Sequence, residues 1–291
     1  MPDVFEWDET LYRGSAEYYT EGRVPYPAEL ADATAAELRL DGTGRLLDCG
    51  CGPGSLTLLL APLFAGAVGI DADAGMIEQA RLAAERACRL NVSWRQLRAE
   101  QLPDGLGEFR VVTFAQSFHW VDQPVVARAV RQMLSPDGAC VLVFATTHEG
   151  VSGGGQSPWP QPPRAQIAEL IASYLGPVRR AGQSLRPFDL PDDTSSVMPA
   201  AGFTGPVRFE VDGGVHERTE DQVVASVFSL SFAAPHLFGG RLASFEEELR
   251  ALLRAASPDG RFAERMREMT VEVWRPGDQS VGGRTRCTDP R

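Results

Sequence analysis

A glycine turn with a carboxylate just ahead of it is the first feature of the sequence that could bind a ligand. The run LLDCGCGPGS contains, in order, Asp48, Gly50, Gly52, Gly54 and Ser55. Glycines remove side chains where a ligand passes close to the backbone, and such a turn after a strand binds dinucleotides, flavins or S-adenosylmethionine (SAM). Ser55 stands where a dinucleotide fold has its last glycine, and Asp48 would repel a pyrophosphate. The turn therefore favours a ligand with an ammonium and a sulfonium group.

A second carboxylate follows at a spacing that fits the same ligand. Asp71 ends the segment VGID and lies 21 residues after Gly50. An acid at this distance from a glycine turn accepts hydrogen bonds from ribose hydroxyls. Turn and acid together predict a site for an adenosine-containing ligand. The alternative is a tight strand–helix turn followed by a helix-capping aspartate.

With these motifs the sequence resembles the class I SAM-dependent methyltransferases, of the methyltransferase-11/25 type. The matching segments follow one another between residues 45 and 146 and are LLDCGCGPGSL, VGIDADAGMI, RAEQLP, VVTFAQSFHW and MLSPDGACVLV. RMREMTVEVWRP is similar to the closing strand of that fold, and YYTEGRVPYP to the cap of small-molecule enzymes related to trans-aconitate methyltransferase. The resemblance implies SAM as the cofactor and leaves the acceptor open.

The resemblance also implies a set of SAM contacts. The amino-acid half of SAM would be lined by Asp48, Gly50, Gly52 and Gly54. The other contacts, from the ribose to the sulfonium, would be Asp71 at the ribose, Ala72 and Met76 beside the adenine, Ala99 and Glu100 at the adenine edge, and Gln116 and Ser117 beside the sulfonium. Arg98 stands where many relatives have an aspartate for the adenine amino group, which is a departure from the family pattern.

Two residues of the N-terminal segment extend this set. Tyr19 and Arg23 precede the first helix of the core and are placed to fold over SAM, with Arg23 pairing its carboxylate. The alternative is a surface arginine beside packed tyrosines.

Methyl transfer from SAM requires few catalytic side chains. Displacement at a sulfonium needs alignment above all, and a base only when the acceptor must lose a proton. His119 follows the fourth predicted strand, at the sheet edge where open α/β folds bind ligands, and it is the candidate catalytic base. His148 shares that edge, and Phe118 and Trp120 are candidates for the acceptor pocket. For each of them the alternative is a structural side chain at the sheet edge.

Strands that alternate with helices must position these residues. The predicted strands are residues 45–48, 67–70, 91–96, 109–115, 139–146, 207–211 and 270–274. The predicted helices are residues 28–40, 55–64, 74–90, 124–134, 165–175, 219–232 and 242–256. This alternation predicts an α/β fold with a doubly wound, mostly parallel seven-stranded sheet of the Rossmann-like methyltransferase class.

An N-terminal cap and helical lid insertions complete the predicted organisation. The predicted divisions are a helical cap (1–40), a SAM-binding core (41–147), an insertion or lid (148–205), the remaining core strands (206–276) with a helical lid at 217–257, and a disordered tail (277–291). Residues 148–164 and 176–200 are expected to be irregular. Arg164, Arg179, Arg180 and Arg186 give the middle of the chain a local positive charge, which we interpret as a solvated loop.

Charge and cysteine content limit the partners and the compartment. The formal net charge of −11 repels phosphate backbones, and the Asp/Asn-Pro-Pro-Tyr/Phe sequence of base-methylating DNA enzymes does not follow the fourth strand. The five cysteines match no disulfide or metal pattern, so we expect reduced, buried thiols in a cytoplasmic protein without a metal. The chain has no apolar run of membrane-spanning length, and its first residues lack the pattern of a signal peptide.

These observations predict SAM-dependent methyl transfer to a small-molecule acceptor, directed to oxygen and in the setting of secondary metabolism. Nucleic acid and membrane are not expected as partners, and the oligomeric state is not predicted. In two alternatives the protein binds SAM but does not transfer its methyl group: a scaffold protein and a cyclase-type enzyme. A third, a nicotinamide-dependent oxidoreductase, shares the fold but is disfavoured by Asp48 and Ser55.

Overall fold

The computed structural model describes residues 11–151, 157–176 and 194–277. The strands are β1 (Arg45–Cys49), β2 (Gly66–Asp71), β3 (Val92–Gln96), β4 (Phe109–Ala115), β5 (Leu134–Phe144), β6 (Phe203–Val211), β7 (Val215–Thr219), β8 (Arg261–Arg265) and β9 (Met269–Pro276). Seven of them form one sheet in the order β3-β2-β1-β4-β5-β9-β6, in which β9 runs antiparallel to both of its neighbours. The predicted doubly wound, mostly parallel seven-stranded sheet is confirmed.

Helices cover both faces of this sheet. The helices of the described residues, including those of a further layer, are α1 (Ala16–Gly22), α2 (Ala28–Leu38), α3 (Ser55–Leu60), α4 (Ala74–Arg86), α5 (Gln123–Met133), α6 (Arg164–Leu175), α7 (Thr194–Ala200), α8 (Glu220–Phe228), α9 (Pro235–Phe238) and α10 (Leu242–Ala256). Successive residues of a strand point to opposite faces, so Leu46 and Val111 belong to a core with α2 and α3, while Leu47 and Val112 belong to one with α5. Near-continuous apolar runs suit strands that are buried on both faces.

Aspartates begin two of the helices that leave the carboxyl edge of the sheet. The Asp73 carboxylate accepts a hydrogen bond from the Met76 amide of α4 (2.9 Å), and the Asp122 carboxylate accepts one from the Val125 amide of α5 (3.1 Å). Each bond satisfies a backbone donor that the first turn of a helix leaves unpaired. The starts of α4 and α5 are thereby fixed beside the strand ends.

A further layer of helices has a hydrophobic core of its own. Phe228 of α8, Phe238 of α9 and Phe245 of α10 are in mutual ring contact, with centroids 4.1–6.2 Å apart. Tyr18 of α1 packs on Phe228 at 5.1 Å, and buried residues of α6 join the same cluster. We call α1, α6, α8, α9, α10 and the antiparallel β7–β8 pair the roof.

Several boundaries differ from the sequence expectations. The β7–β8 pair was not predicted, because its partners are joined only by long-range pairing and carry mixed polar and apolar residues. α7 lies in a stretch expected to be irregular. The helix expected at 219–232 ends at Phe228 and is followed by a 3-10 turn at Ser231–Ala233. Residues 1–10 of the expected cap and residues 278–291 of the expected disordered tail lie outside the described residues.

The described cysteines are free thiols, and most of them are buried as expected. Cys49, Cys51 and Cys140 are buried, but Cys88 is exposed, so the expectation of buried thiols is wrong there. Cys287 lies outside the described residues.

Within the described ranges no single helix is long and apolar enough to cross a membrane. α8 and the helical stretch Ser231–Ala256 pass that test of length and composition only jointly, and the two are bent by 98° relative to each other.

Candidate functional site

The candidate site lies where the carboxyl ends of β1 and β4 meet. These strands are neighbours in the sheet, but the chain leaves them towards opposite edges, so a crevice opens between their following loops. Two adjoining cavities occupy it: a β3-side cavity of about 90 Å³ and a β5-side cavity of about 130 Å³. Residues that line both are Tyr19, Gly50, Gly52, Ala115 and Gln116. We call the two cavities together the cleft, and the loops at the sheet edge its floor.

Asp48 lies in the floor of the β5-side cavity. Its side chain is held by two hydroxyl donors, Thr57 Oγ1 to Oδ2 (2.5 Å) and Thr113 Oγ1 to Oδ1 (2.7 Å). Burial raises the pKa of Asp48 to about 6, although both hydrogen bonds lower it. A cation bound above the carboxyl group would favour its ionised form, so the residue suits a positively charged ligand group.

The three glycines of the turn have different roles. Gly52 has a φ of +53°, and a Cβ there would meet no atom within 4 Å, so this position faces the open space of both cavities. A Cβ at Gly50 would collide with Ser117, so Gly50 allows the loops after β1 and β4 to approach each other. A Cβ at Gly54 would collide with the Trp94 ring, and Gly54 lines neither cavity. The missing side chain of Gly54 makes room for Trp94, and its expected contact with the cofactor stays a prediction.

Asp71 connects the glycine turn to the loop after β2. Its Oδ2 accepts a hydrogen bond from the Gly52 amide (2.8 Å), and its Oδ1 accepts one from the Asp73 amide (2.9 Å). Burial raises the pKa of Asp71 to about 6, against the two amide hydrogen bonds, which lower it. A carboxylate has about four acceptor positions. Two remain for ligand hydroxyls at the wall of the β3-side cavity, where Asp71 was expected to hold a ribose.

The residues expected around the adenine come together at the β3-side cavity. Ala99 and Glu100 line it from the end of β3, and Ala72 and Met76 line it from the loop after β2 and the start of α4. Arg98, the departure from the family pattern, lies on the same wall, with its Nε 3.6 Å from Glu100 Oε2. The Arg98 guanidinium, a hydrogen-bond donor, therefore lies beside the Glu100 carboxylate at the expected adenine edge.

The loop after β4 forms the boundary between the two cavities. Gln116 has a φ of +55°, which is uncommon for a residue with a Cβ and is found more often at functional sites. Ser117 Oγ donates to the Cys49 carbonyl oxygen (2.6 Å), which ties this loop to the end of β1. Both residues expected beside the sulfonium therefore line the cleft.

His119 does not occupy the position expected of a base. It lies on the 3-10 turn Phe118–Trp120 and packs against the Trp120 ring, with centroids 4.9 Å apart. Among the described residues, Trp120 lines the β3-side cavity, whereas His119 lines neither cavity. Phe118 is buried against Phe114 (5.0 Å) and belongs to the core. The turn directs its tryptophan to the wall in place of its histidine, and the role of His119 as general base stays a prediction.

α1 places both expected cap residues over the cleft. Tyr19 lines both cavities, and Arg23 lines the β5-side cavity. The Arg23 guanidinium lies over the Tyr19 ring (4.4 Å) and donates to the hydroxyl and carbonyl oxygens of Ser229 (2.8 and 3.0 Å). His148 Nδ1 lies 3.4 Å from Arg23 Nη1, behind the cavity wall.

Sequence reasoning missed other residues that line the cleft. They include Tyr12, Leu97 and Val121 in the β3-side cavity, and Tyr26, Cys51 and Thr147 in the β5-side cavity. Two signals were available for the aromatic pair: Tyr12 precedes Tyr19 in a tyrosine-rich segment, and Tyr26 belongs to the VPYP segment. Thr147 directly follows β5 at the binding edge of the sheet. Leu97 and Val121 carry no chemical signal, because apolar residues there are as well explained by packing.

The chemistry of the cleft residues fits SAM. Two carboxylates, Asp48 and Asp71, face the glycine turn, and the Arg23 guanidinium lies opposite on the roof side. SAM combines an ammonium, a sulfonium, ribose hydroxyls and a carboxylate, which these three groups complement. The open space at Gly52 is the cradle that a Cβ would fill.

Comparison with known proteins agrees with this fit. Residues 46–138 match the family model described as a methyltransferase domain. An uncharacterised methyltransferase of Mycobacterium tuberculosis is 32% identical over 173 residues, which are 59% of this chain and 63% of the relative. A ubiquinone biosynthesis O-methyltransferase of Methylococcus capsulatus is 38% identical over 111 residues, 37% of this chain and 45% of the relative.

Residues 46–138 therefore contain a methyltransferase domain, and over this core the chain is similar to the class I SAM-dependent methyltransferases. The YcgJ protein of Bacillus subtilis has the same fold, with a TM-score of 0.50 at 17% identity over 87% of this chain and 100% of that structure. The chain spans about half to three fifths of the length of the first curated relatives, 54% and 63%.

Proposed function

We propose that this methyltransferase transfers the methyl group of SAM to an oxygen of a small-molecule acceptor. The observation that carries the proposal is the glycine turn, where Gly52 leaves open space in a cleft that holds Asp48 and Asp71 in its floor and Arg23 in its roof. Tyr19 covers both cavities from α1. This arrangement supports binding of a ligand that is cationic at its centre and anionic at one end.

Each side chain then has a defined task. When bound, SAM supplies an electrophilic methyl group on its sulfonium. Asp48 attracts the cationic amino-acid half, Asp71 accepts from the ribose hydroxyls, and Arg23 pairs the carboxylate. Tyr19 covers the cleft and keeps water away from it. Alignment of this kind can contribute several powers of ten in rate without a protein-derived nucleophile.

The walls of the β5-side cavity support a polar acceptor. Thr20, Tyr26 and Thr147 line it together with Arg23. Burial raises the pKa of Tyr26 well above its usual range, so the phenol remains protonated and available as a donor to an acceptor oxygen. Curated relatives at 35–38% identity include ubiquinone biosynthesis O-methyltransferases, which also supports transfer to oxygen.

The size of the cleft limits how both ligands enter. Its cavities of about 90 and 130 Å³ are smaller than the ~300–1,000 Å³ of typical ligand sites. The β3-side cavity also shares Tyr12, Ala72, Leu97 and Arg98 with a neighbouring cavity of about 540 Å³. Because the floor is built from strand ends and Tyr19 of α1 covers both parts of the cleft, we propose that α1 moves outward when both ligands bind.

Calorimetry followed by a turnover assay tests the proposal. SAM and S-adenosylhomocysteine should bind to the wild-type chain, and Asp71→Ala should weaken both by about 1–3 kcal/mol through lost hydrogen bonds to a charged group. The exposed Asp137→Ala, far from the cleft, is the matched control and should bind normally. With a panel of phenols, hydroxy acids and carboxylic acids, mass spectrometry should find S-adenosylhomocysteine together with an acceptor heavier by one methylene.

Other outcomes would point to the alternatives. Binding of NAD but not of SAM would contradict the proposal and support the oxidoreductase interpretation. A rearranged acceptor without S-adenosylhomocysteine would indicate a cyclase-type activity. SAM binding with no turnover across the panel would favour a scaffold.

A further inference from the structure

One buried serine of the roof holds the arginine that lines the cleft. Arg23 Nε donates to Ser229 Oγ (2.8 Å), and Arg23 Nη2 donates to the Ser229 carbonyl oxygen (3.0 Å). Ser229 directly follows α8, is fully buried, and lines neither part of the cleft. A residue outside the cleft therefore accepts two hydrogen bonds from the guanidinium inside it.

The end of α8 prepares both acceptors of Ser229. Ser229 Oγ donates its hydrogen to the Ser226 carbonyl oxygen (2.7 Å), so its lone pairs are left to accept from Arg23. The Ser229 carbonyl lies at the carboxyl end of the helix, where the last carbonyl groups have no partner within the helix. A cation is favoured at such an end. The guanidinium of Arg23 therefore satisfies both the charge and the acceptors that α8 presents.

The backbone next to Arg23 is packed tightly against α8. Arg218 Nη2 donates to the Gly22 carbonyl oxygen (2.7 Å) and to the Gln222 carbonyl oxygen (2.8 Å), which joins the end of α1 to α8. A Cβ at Gly22 would collide with the backbone of Ala225, so the two helices are in close contact. Because the backbone of Arg23 is fixed in this way, the contacts of its side chain decide where the guanidinium points.

The contacts of Arg23 leave one edge of the guanidinium for a ligand. Ser229 occupies the edge formed by Nε and Nη2, and His148 Nδ1 lies 3.4 Å from Nη1. Each Nη carries a pair of N–H groups, so within the described residues one N–H remains on each of them. These two N–H groups form the edge that pairs a carboxylate through two parallel hydrogen bonds.

We propose that Ser229 is a positioning residue for the cofactor: it holds Arg23 so that the edge formed by Nη1 and Nη2 faces the β5-side cavity and pairs an anionic group there. This rests on the proposed function, because it presupposes that the carboxylate of SAM is the group that Arg23 pairs. Without the Ser229 hydroxyl, the guanidinium keeps its charge but loses one of the two contacts that orient it.

Calorimetry with two product analogues tests the proposal without any turnover. S-adenosylhomocysteine carries the carboxylate, whereas its decarboxylated form keeps the amino group and the nucleoside. The wild-type chain should bind S-adenosylhomocysteine at least about tenfold more tightly, as expected for hydrogen bonds between charged groups. A wild-type ratio near one would overturn the proposal without any variant.

Ser229→Ala should reduce this preference selectively. Affinity for S-adenosylhomocysteine should fall about three- to tenfold, and affinity for the decarboxylated form should stay unchanged. Ser226→Ala is the matched control, because Ser226 is also buried and its hydroxyl accepts from Arg164 (3.1 Å), which does not line the cleft. It should keep the wild-type ratio. If Ser229→Ala does not fold, Ser229→Cys has nearly the same size and a weaker acceptor, and its ratio should also fall.

A double-mutant cycle distinguishes positioning from a purely structural effect. Arg23→Met keeps an unbranched stem over the Tyr19 ring but has no N–H group. If Ser229 acts through Arg23, Ser229→Ala should cause no further loss of S-adenosylhomocysteine affinity in the Arg23→Met background. Equal losses in both backgrounds would show that Ser229 affects the cleft only through the packing of the roof.

The failures of the two proposals are distinguishable. If neither analogue binds to the wild-type chain, the proposed SAM site itself is wrong. If both bind and Ser229→Ala weakens them equally, the cleft is a SAM site but Ser229 does not position Arg23 for the carboxylate.

Discussion

The floor and the roof of the cleft are held together by different kinds of interaction. In the floor, parallel register places the ends of β1, β2 and β4 side by side, and short hydrogen bonds such as Gly52 to Asp71 connect neighbouring loops. In the roof, the decisive contacts join residues far apart in the sequence. Arg218 of β7 donates to the Gly22 carbonyl oxygen at the end of α1 (2.7 Å), and Arg23 donates to Ser229 beyond α8.

One buried carboxylate organises the roof. Glu264 of β8 is 2% exposed and accepts from Arg164 Nε and Nη2 (2.9 and 2.7 Å). It also accepts from the Gly150 amide (3.0 Å), and Arg218 Nη1 lies 3.4 Å away. Burial lowers the pKa of Arg218 to about 10, although the charge of Glu264 raises it. Two arginines contact one acid in a buried setting, so we expect the packing of the roof to be sensitive to substitution of Glu264.

Glu264→Gln should have the largest effect and should break the roof alone. Removing one partner of a buried ion pair leaves the other charge uncompensated and costs about 3–5 kcal/mol. We expect a loss of this size in the free energy of urea unfolding. Hydrogen exchange should quicken at the amides of α1 and stay slow in β1 and β4.

Glu217→Gln is the matched control on the same two-stranded sheet. Glu217 pairs with Arg261 (2.6 Å), but both side chains are about half exposed, so its loss should cost under about 1 kcal/mol. Equal small losses in the two variants, or equal quickening of exchange in floor and roof, would show that the Glu264 contacts do not organise the roof.

The same contrast explains how far the sequence predicts the structure. The floor is local: the turn, the acid after β2 and the loop after β4 follow strand ends that hydrophobic runs reveal, and the residues expected there do line the cleft. Gly54 is the exception, because only the structure shows Trp94 packed against it. The composition of the roof gives no such information. Arg164 belongs to a positive run interpreted as a solvated loop, yet it begins α6 and pairs with Glu264, 100 residues away.

Gly52→Val should break the floor and leave the roof intact. The two methyl groups would enter the open space of the cleft, and we expect affinity for S-adenosylhomocysteine to fall at least about 100-fold, or roughly 2.7 kcal/mol. The positive φ adds backbone strain of about 1–2 kcal/mol in stability.

Gly42→Val separates the two effects. Gly42 also has a positive φ (+84°), and a Cβ there would meet no atom within 4 Å, but it lies before β1 and away from the cleft. The variant should lose stability as Gly52→Val does and keep its affinity in calorimetry. Similar affinities in the two variants would remove the glycine turn from the cofactor site.

The pH dependence of stability should show a smaller effect, confined to the floor. The pKa of Asp48, about 6, lies above the roughly 3.9 of an unfolded aspartate, so the folded chain binds more protons between these values. Stability from protonated Asp48 is fully present below the unfolded pKa and is lost as the pH rises through about 6. Between about pH 5.5 and 7.5 the expected loss is about 1 kcal/mol.

Asp48→Asn should remove this part of the pH dependence. The net charge of −11 adds a pH dependence of its own through repulsion in the folded state, so the quantity to measure is the difference between the wild-type and variant profiles from urea unfolding. If the two profiles run parallel, the Asp48 carboxyl group does not carry an elevated pKa in the folded chain.

His119→Gln should have the smallest effect, because the ring lies in neither part of the cleft. A general base contributes about 10²–10⁴ in rate only when it reaches the proton that it removes. The His119 ring instead packs on Trp120, and glutamine keeps hydrogen-bonding capacity without acting as a base at neutral pH. We therefore expect turnover to fall by less than about tenfold and SAM affinity to stay unchanged. Trp120→Leu provides the comparison, since Trp120 lines the β3-side cavity and its loss should weaken ligand binding more. A fall of about 100-fold or more in His119→Gln, with SAM affinity intact, would instead mean that the 3-10 turn rearranges when the acceptor binds and brings the imidazole to it.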